Sequence, residues 1–407
     1  MIELKNLHLK KGEKWTKLVA DISSDKHRLP DNVMWFALPN EMASMFTTET
    51  YDPFLLVSYF LGMFLGENVK VNGNVSKLFY KNLVNYINQI LYDFSDHTKK
   101  IELSVNGFVK LNRTDRLIGT SGSCGVDSFC SIYDHFISEE DRDYKINALF
   151  LYNCGTHGDF NQENTYNLWQ ERYALNSRAA KALGLPLYQM DSNLHAFTHS
   201  IYRSDEPVGY LALYSCALCL QKVMWKYYVS GDFSYRQTLQ IGEERRDFDL
   251  SEFAAPMLVP LIRTELIELI PDTIQYSRSE KLSHIADWDI AHKYLNLCIR
   301  PKSDGGNCTI NCPKCRSAML VLESLGKAEL FHESFDVDLF HREIRNVKIN
   351  TEARYYNDPL FAREAIDYVR KHGMTIPPFL VAAFLHSPKK IKWLIKRWKE
   401  KNVDKRI

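Results

Sequence analysis

A three-layer α/β fold built on a parallel sheet is what this chain of 407 residues predicts, and three observations carry the prediction. Short β-type runs alternate with longer amphipathic stretches between residues 114 and 330. The runs are nearly continuous in apolar residues, as strands are when helices cover both faces of a sheet. The stretches between them are long enough to serve as crossover helices joining parallel strands.

The runs are Leu117–Thr120, Ile146–Tyr152 (INALFLY), Pro186–Met190, Lys226–Val229 and Thr273–Tyr276. Helices are expected between them at Val126–Ile137, Asn164–Leu183, Gly209–Trp225 and Met257–Ile270. Ahead of this domain, residues 1–113 read as an extra N-terminal α+β domain of unassigned role, bounded by the polar segment Leu111–Arg116. It opens on alternating polar and apolar residues and holds a strand-like stretch at Lys100–Val105. A helix is expected from Ser76 to Tyr92, where Leu78, Phe79, Leu83, Tyr86, Ile87, Ile90 and Leu91 recur at three- and four-residue spacing. Pro53–Gly66 is the most apolar segment, too short to span a bilayer at roughly 20 residues per crossing, and reads as a buried helix. Residues 331–407 read as a helical extension with a basic tail. That tail, Lys389–Ile407, carries nine Lys/Arg and two acids, with Ile391, Leu394, Ile395 and Trp398 on one face, and is expected to dock as a terminal helix.

The composition excludes fibrous and disordered classes, with 45% apolar and 25% charged residues. With 51 Lys+Arg against 50 Asp+Glu there is no global field to hold a polyanion, so nucleic acid is not the favoured partner. The opening residues lack the apolar core of a secretory signal, and nine cysteines without an export signal point to a reducing, cytoplasmic setting with no membrane partner. Oligomeric state is left open.

Two motifs carry chemistry. The first follows the first strand of the α/β pattern: Leu117–Ser131 reads LIGTSGSCGVDSFCS, a strand, a small-residue turn and a helix. Ser121, Gly122, Ser123, Cys124, Gly125, Val126, Asp127 and Ser128 form the turn and first helical residues. Unpaired backbone N–H groups and a helix N-terminus there suit a phosphate, with the Ser123 and Ser128 hydroxyls as further donors. Asp127 would repel a bare anion but suits Mg²⁺ held against one. Neither GxxxxGK[ST] nor GxGxxG fits. Ser123-Cys124-Gly125-Val126-Asp127-Ser128 instead resembles the SGGxDS loop of the PP-loop ATP pyrophosphatases, a superfamily with a three-layer, HUP-like sheet. The resemblance implies adenylation of a carbonyl or carboxylate oxygen with release of pyrophosphate. Carried over by position, Ser123, Gly125, Asp127 and Ser128 bind the pyrophosphate end of ATP, with Asp127, Ser123 and Ser128 as the catalytic candidates. Cys124 stands where the family has its first glycine; a positive φ there would cost a cysteine ~1 kcal/mol.

The second motif is Cys298-x9-Cys308-x3-Cys312-x2-Cys315, with Gly305 and Gly306 in the connecting loop. Four soft ligands at such spacing suit tetrahedral, structural Zn²⁺. A redox Cys312/Cys315 pair and an iron–sulfur cluster are the alternatives.

Together the motifs resemble the 7-cyano-7-deazaguanine synthase branch of the superfamily. Tyr152-Asn153-Cys154-Gly155-Thr156-His157, the stretch Arg178 to Leu185, and Asp191 add local similarity. The resemblance spans about half the chain. It implies that ATP activates a carboxylate on a deazapurine and that ammonia then yields an amide and finally a nitrile. Asn153, His157 with Asp159, and Arg316 are the candidates for holding substrate. Thr264-Glu265 and Arg278-Glu280-Lys281 are left outside the site, because Ser277-x-x-Glu280 equally forms a capping box. The long additions on both sides imply a changed substrate or partner, such as a protein in a bacterial modification or defence pathway. A tRNA-modifying enzyme and a nucleotide-binding module without catalysis are the remaining alternatives.

Overall fold

The computed structural model describes residues 1–95, 97–155, 163–200, 209–244, 255–298 and 306–386. They form two compact units, the first from Met1–Ser123 with Ser131–Gln275, the second from Cys124–Cys130 with the chain from Tyr276 onward.

The first unit is built on ten strands: β1 (Ile2–Lys11), β2 (Trp15–Ser24), β3 (Val33–Pro39), β4 (Val69–Val75), β5 (Leu103–Phe108), β6 (Leu117–Ser121), β7 (Ala148–Asn153), β8 (Leu187–Ser192), β9 (Met224–Ser230) and β10 (Glu268–Asp272). They lie in one sheet in the order β10-β9-β6-β7-β8-β3-β2-β1-β4-β5. The block β10-β9-β6-β7-β8 is parallel throughout. Its first strand is central: the chain steps outward to β7 and β8, then returns to the opposite side of β6 for β9 and β10.

The expected α/β architecture is present, but the sheet is mixed rather than wholly parallel. β3 joins β8 in antiparallel pairing through Phe36↔Ser192 and Ala37↔Asp191. The N-terminal strands therefore extend the same sheet, and the compact units do not follow the segments 1–113, 114–330 and 331–407. The edge of β8 is what recruits them, since its unpaired N–H and C=O groups need partners once buried.

One face of the sheet carries the main core. Met34, Phe36 and Leu38 of β3 and Phe150 and Tyr152 of β7 pack there beneath the helix Asp52–Leu65. Residues Asp52 to Met63 of that helix are all buried, as the apolar run predicts, and the ring of Phe54 meets Phe36 edge-on at 5.0 Å. Pro53 starts the helix and Gly66, at φ 66°, ends it in the left-handed conformation that side chains disfavour.

Several boundaries move. The helix expected over Ser76–Tyr92 runs as Lys77–Asn82, a wide π-type turn Leu83–Ile87, and Asn88–Phe94. The strand expected at Lys100–Val105 is Leu103–Phe108. Gly209–Trp225 is not one helix: Tyr210–Leu218 is helical and Met224 already begins β9. Met257–Ile270 is not helical either. Only Ala255–Leu258 and a tight turn Val259–Leu261 are, and Glu268–Asp272 pairs with β9. Pro260 removes a helical N–H there, and the following apolar residues gain a parallel neighbour instead. The strand expected at Thr273–Tyr276 thus lies just upstream, ended by Thr273 at φ 59°.

The second unit is helical where described, with Pro313–Ser324, Val337–Glu352, Glu364–Lys371 and Phe379–His386. The basic tail lies outside the described residues. Among the described residues no helix is long and apolar enough to cross a membrane.

Candidate functional site

The small-residue turn leaves β6 at its carboxyl end. Ser121 pairs with Phe150 of β7, and the Gly122 N–H donates to the Phe150 carbonyl at 2.8 Å. A Cβ on Gly122 would lie 2.4 Å from Leu187 Cδ1, so a larger residue here would have to push that side chain aside. Ser123 closes this part of the first unit.

The second unit takes up the chain at Cys124, whose φ is 57°. The position that the PP-loop pattern fills with glycine therefore has the backbone that glycine favours, and here a buried cysteine adopts it. Gly125 follows, and its carbonyl accepts from the Phe129 N–H at 2.9 Å and from the Ser128 hydroxyl at 3.1 Å. Ser128, expected to face phosphate, is buried and donates into its own turn. Val126 opens the helix Val126–Ile132.

Asp127 carries the strongest electrostatics. Its Oδ1 accepts from Lys281 Nζ at 2.9 Å and its Oδ2 from Arg278 at 3.4 Å. The Lys281 side chain is 0% exposed, so this contact with the carboxylate is made away from water. Both cations come from the helix Arg278–His284, which the capping box of Ser277 and Glu280 does begin. Sequence reasoning used that box to set Arg278 and Lys281 aside. The three-residue spacing that places both on one helix face was the available signal. Both oxygens of Asp127 face cations of this chain, so its charge is already countered by Lys281 and Arg278.

In the first unit, polar groups tie the carboxyl ends of β6, β9 and β10. The Thr120 hydroxyl donates to the Tyr228 carbonyl at 2.9 Å, and Ser131 bonds both Ser230 Oγ at 2.7 Å and Asp272 Oδ2 at 2.5 Å. His135 Nε2 lies 3.0 Å from Asp272 Oδ1, its ring stacked on Tyr228 at 3.8 Å. Nothing in the sequence signalled this network, which joins residues from three separate stretches of the chain.

Burial works to lower the His135 pKa, but the hydrogen bond and charge of Asp272, with Asp134 and Glu139 nearby, raise it above the ordinary 6.5. A folded-state value above the unfolded one makes the charged pair's contribution complete below the unfolded pKa and lost as pH rises through the folded one. The stability gap between wild type and His135→Gln should therefore shrink as pH rises from about 6 to about 9, which urea unfolding at each pH measures.

Cys298, Cys308, Cys312 and Cys315 are all buried, with their sulfurs within 4.8 Å of one another. Cys298 and Cys312 are 3.8 Å apart. A tetrahedral ion with Zn–S of about 2.3 Å sets sulfurs at about 3.8 Å, so the cage fits such an ion. The N–H groups of Cys308 and Cys315 donate to the sulfurs of Cys298 and Cys312, each at 3.4 Å, which favours thiolates. Contact with Cys312 comes first among the causes that push the Cys298 thiol up to about 11, and a divalent cation is what removes such protons at neutral pH. Cys312 also caps the helix Pro313–Ser324, and Asn307 braces the loop through Leu295, Leu297 and Ser334. Four protein ligands would leave a tetrahedral ion no open coordination position.

Of the remaining candidates, Asn153 ends β7 and donates to Asp191 Oδ1 at 2.8 Å. Arg316 donates to the Ile310 carbonyl at 3.1 Å, inside the cysteine loop. His157, Asp159 and Gly305 lie outside the described residues. No family model, curated protein or solved structure matches the chain.

Proposed function

We propose that this protein uses ATP to adenylate a carboxylate, releasing pyrophosphate, and then forms a C–N bond, as the 7-cyano-7-deazaguanine synthase-like motifs suggest. The single observation that carries the reading is the strand order. In the parallel block, the side to which successive strands are added switches beside β6, and open α/β sheets bind ligands outside the carboxyl ends of strands at such a switch. The turn with Cys124 in the left-handed region begins there.

In the proposed reaction a substrate carboxylate oxygen attacks the α-phosphorus of ATP. The bond from that phosphorus to the bridging oxygen breaks, and pyrophosphate leaves with the charge. Backbone N–H groups of the turn would receive that charge, which requires donors aimed at where it develops. Ammonia then attacks the acyl carbon, and AMP departs with the former carboxylate oxygen. No step is assigned to Mg²⁺. We assign zinc to the four-cysteine cage, as a structural ion remote in role from these steps.

The test supplies ATP, magnesium, ammonia and 7-carboxy-7-deazaguanine, then repeats with candidate acceptor proteins, and follows AMP and pyrophosphate. Equal amounts of both, dependent on an acceptor, are expected; ADP with phosphate would sink the reading. The pairing of Asp127 with two cations favours a second reading, a nucleotide-binding module without turnover, which predicts ATP binding but no AMP with any acceptor.

A further inference from the structure

The helix Phe379–His386 of the second unit turns its apolar side outward. It meets the rest of that unit through Ala382, which is buried, through Phe379, whose ring stands edge-on to Tyr356 at 4.7 Å, and through His386, whose Nδ1 lies 2.8 Å from Asn350 Oδ1. The far side carries Leu380, Val381, Phe384 and Leu385, which are 77%, 48%, 51% and 50% exposed. At 3.6 residues per turn these four fill one continuous arc of about 140°. A surface helix ordinarily presents polar residues there, and apolar side chains normally reach water singly rather than four in one stripe.

The sequence that follows is strongly cationic. Lys389–Ile407, outside the described residues, holds nine Lys/Arg and two acids, interleaved with Ile391, Trp393, Leu394 and Trp398. Lys389 comes three residues after His386, so the chain cannot carry it more than about 11 Å from the helix. An apolar stripe and the start of a cationic run are thereby confined to one place. Charge decides among the occupants that could cover the stripe. A second copy of this chain would bring two such cationic runs together, which like charges oppose. RNA would engage the cations and leave the stripe in water. A bilayer with anionic headgroups takes both, since its apolar interior and its phosphates lie at adjoining depths.

We propose that this part of the second unit is a docking surface for membranes rich in anionic lipid, with the stripe of Leu380, Val381, Phe384 and Leu385 set below the headgroups and the cations of Lys389–Ile407 among the phosphates. The helix has eight residues and is about 12 Å long, so it lies on a bilayer whose hydrocarbon core is about 30 Å thick. One small apolar anchor gives only marginal, reversible binding, and an adjacent polybasic run supplies the second signal that stable docking needs. Surface docking requires neither an export signal nor a spanning helix, the two absences behind the expectation of no membrane partner. It goes beyond the proposed adenylation and does not depend on it, since lipid binding needs no ATP.

The experiment is cosedimentation of the full chain with vesicles of phosphatidylcholine and phosphatidylglycerol in equal parts, and with vesicles of phosphatidylcholine alone. Binding to the anionic vesicles should be at least tenfold tighter than to the neutral ones, and should weaken as salt is raised. The double variant Leu380→Ser with Phe384→Ser keeps the charge and should lower affinity for anionic vesicles about tenfold or more. The triple variant Lys389→Gln, Lys390→Gln and Lys392→Gln keeps the stripe and should lower it roughly a hundredfold. All five positions lie outside the buried core or the described residues, and thermal melting checks that both variants fold. No binding to anionic vesicles, equal binding to both kinds, or undiminished binding by the double variant would overturn the proposal. Cosedimentation with RNA but not with vesicles would overturn it in favour of a nucleic acid, and a dimer in sedimentation velocity that the double variant dissolves, without vesicle binding, in favour of a second copy. The comparison of the two vesicle types on wild type decides even where a variant fails to fold.

Discussion

Cys312→Ser is expected to empty the four-cysteine cage and to lower the melting temperature by about 5 °C, the shift that about 4 kcal/mol produces when the unfolding entropy is about 2.1 cal/mol/K per residue over a chain of 407 residues. Cys312 is at once a ligand, the acceptor for the Cys315 N–H, and the cap of the helix Pro313–Ser324. Serine can still cap, so the variant isolates the metal contribution from the cap. A structural zinc site contributes on the order of 10 kcal/mol of binding free energy in small peptides, and here only part of it is felt because Met319, Leu320, Phe331 and Phe340 provide a separate core. Metal analysis should find one zinc per wild-type chain and close to none in the variant. Cys219→Ser, a buried cysteine of the first unit, should leave the metal content unchanged. Iron in the wild-type protein, or the same metal content in Cys312→Ser, would refute the structural zinc assignment.

Asp127→Asn is expected to cost about 3–5 kcal/mol in urea unfolding, because it removes the carboxylate charge that faces the fully buried ammonium of Lys281. A surface ion pair would cost about 1 kcal/mol or less. The paired change Asp127→Leu with Lys281→Met should recover most of the loss, since replacing a buried pair by apolar groups of similar size is often neutral or better. Arg278, whose side chain is 12% exposed, reaches water without its partner. A single-variant cost below about 1 kcal/mol would mean that the pair does not behave energetically as a buried one. The result bears on function as well: loss of ATP binding in an Asp127 variant is evidence about the loop only if the variant is shown to be folded.

Local features were legible because their information is local. The alternation of apolar strands with amphipathic helices located β6, β7, β8 and β9 within a few residues, and the small-residue turn after β6 was readable from its composition. The four cysteines lie close enough in the chain for spacing alone to suggest their cage. Met257–Ile270 misled because a short apolar run suits a helix or a buried strand equally, and Pro260 with a vacant neighbour on β9 decided between them. Asp127 was recognised as a residue of the turn, yet its role changed once Lys281, 154 positions away, was found against it.

The amino-acid order by itself determined the α/β class, the loop that leaves the first parallel strand, and the soft-ligand set. Only the tertiary structure decided that β3 completes the edge of β8, that Asp127 neutralises a buried lysine, that His135 meets Asp272 across 137 positions, and that the helix Phe379–His386 turns an apolar stripe outward. The reason is physical: periodicity and turn chemistry act over a few residues, whereas register and ion pairing follow from which distant faces must be buried together.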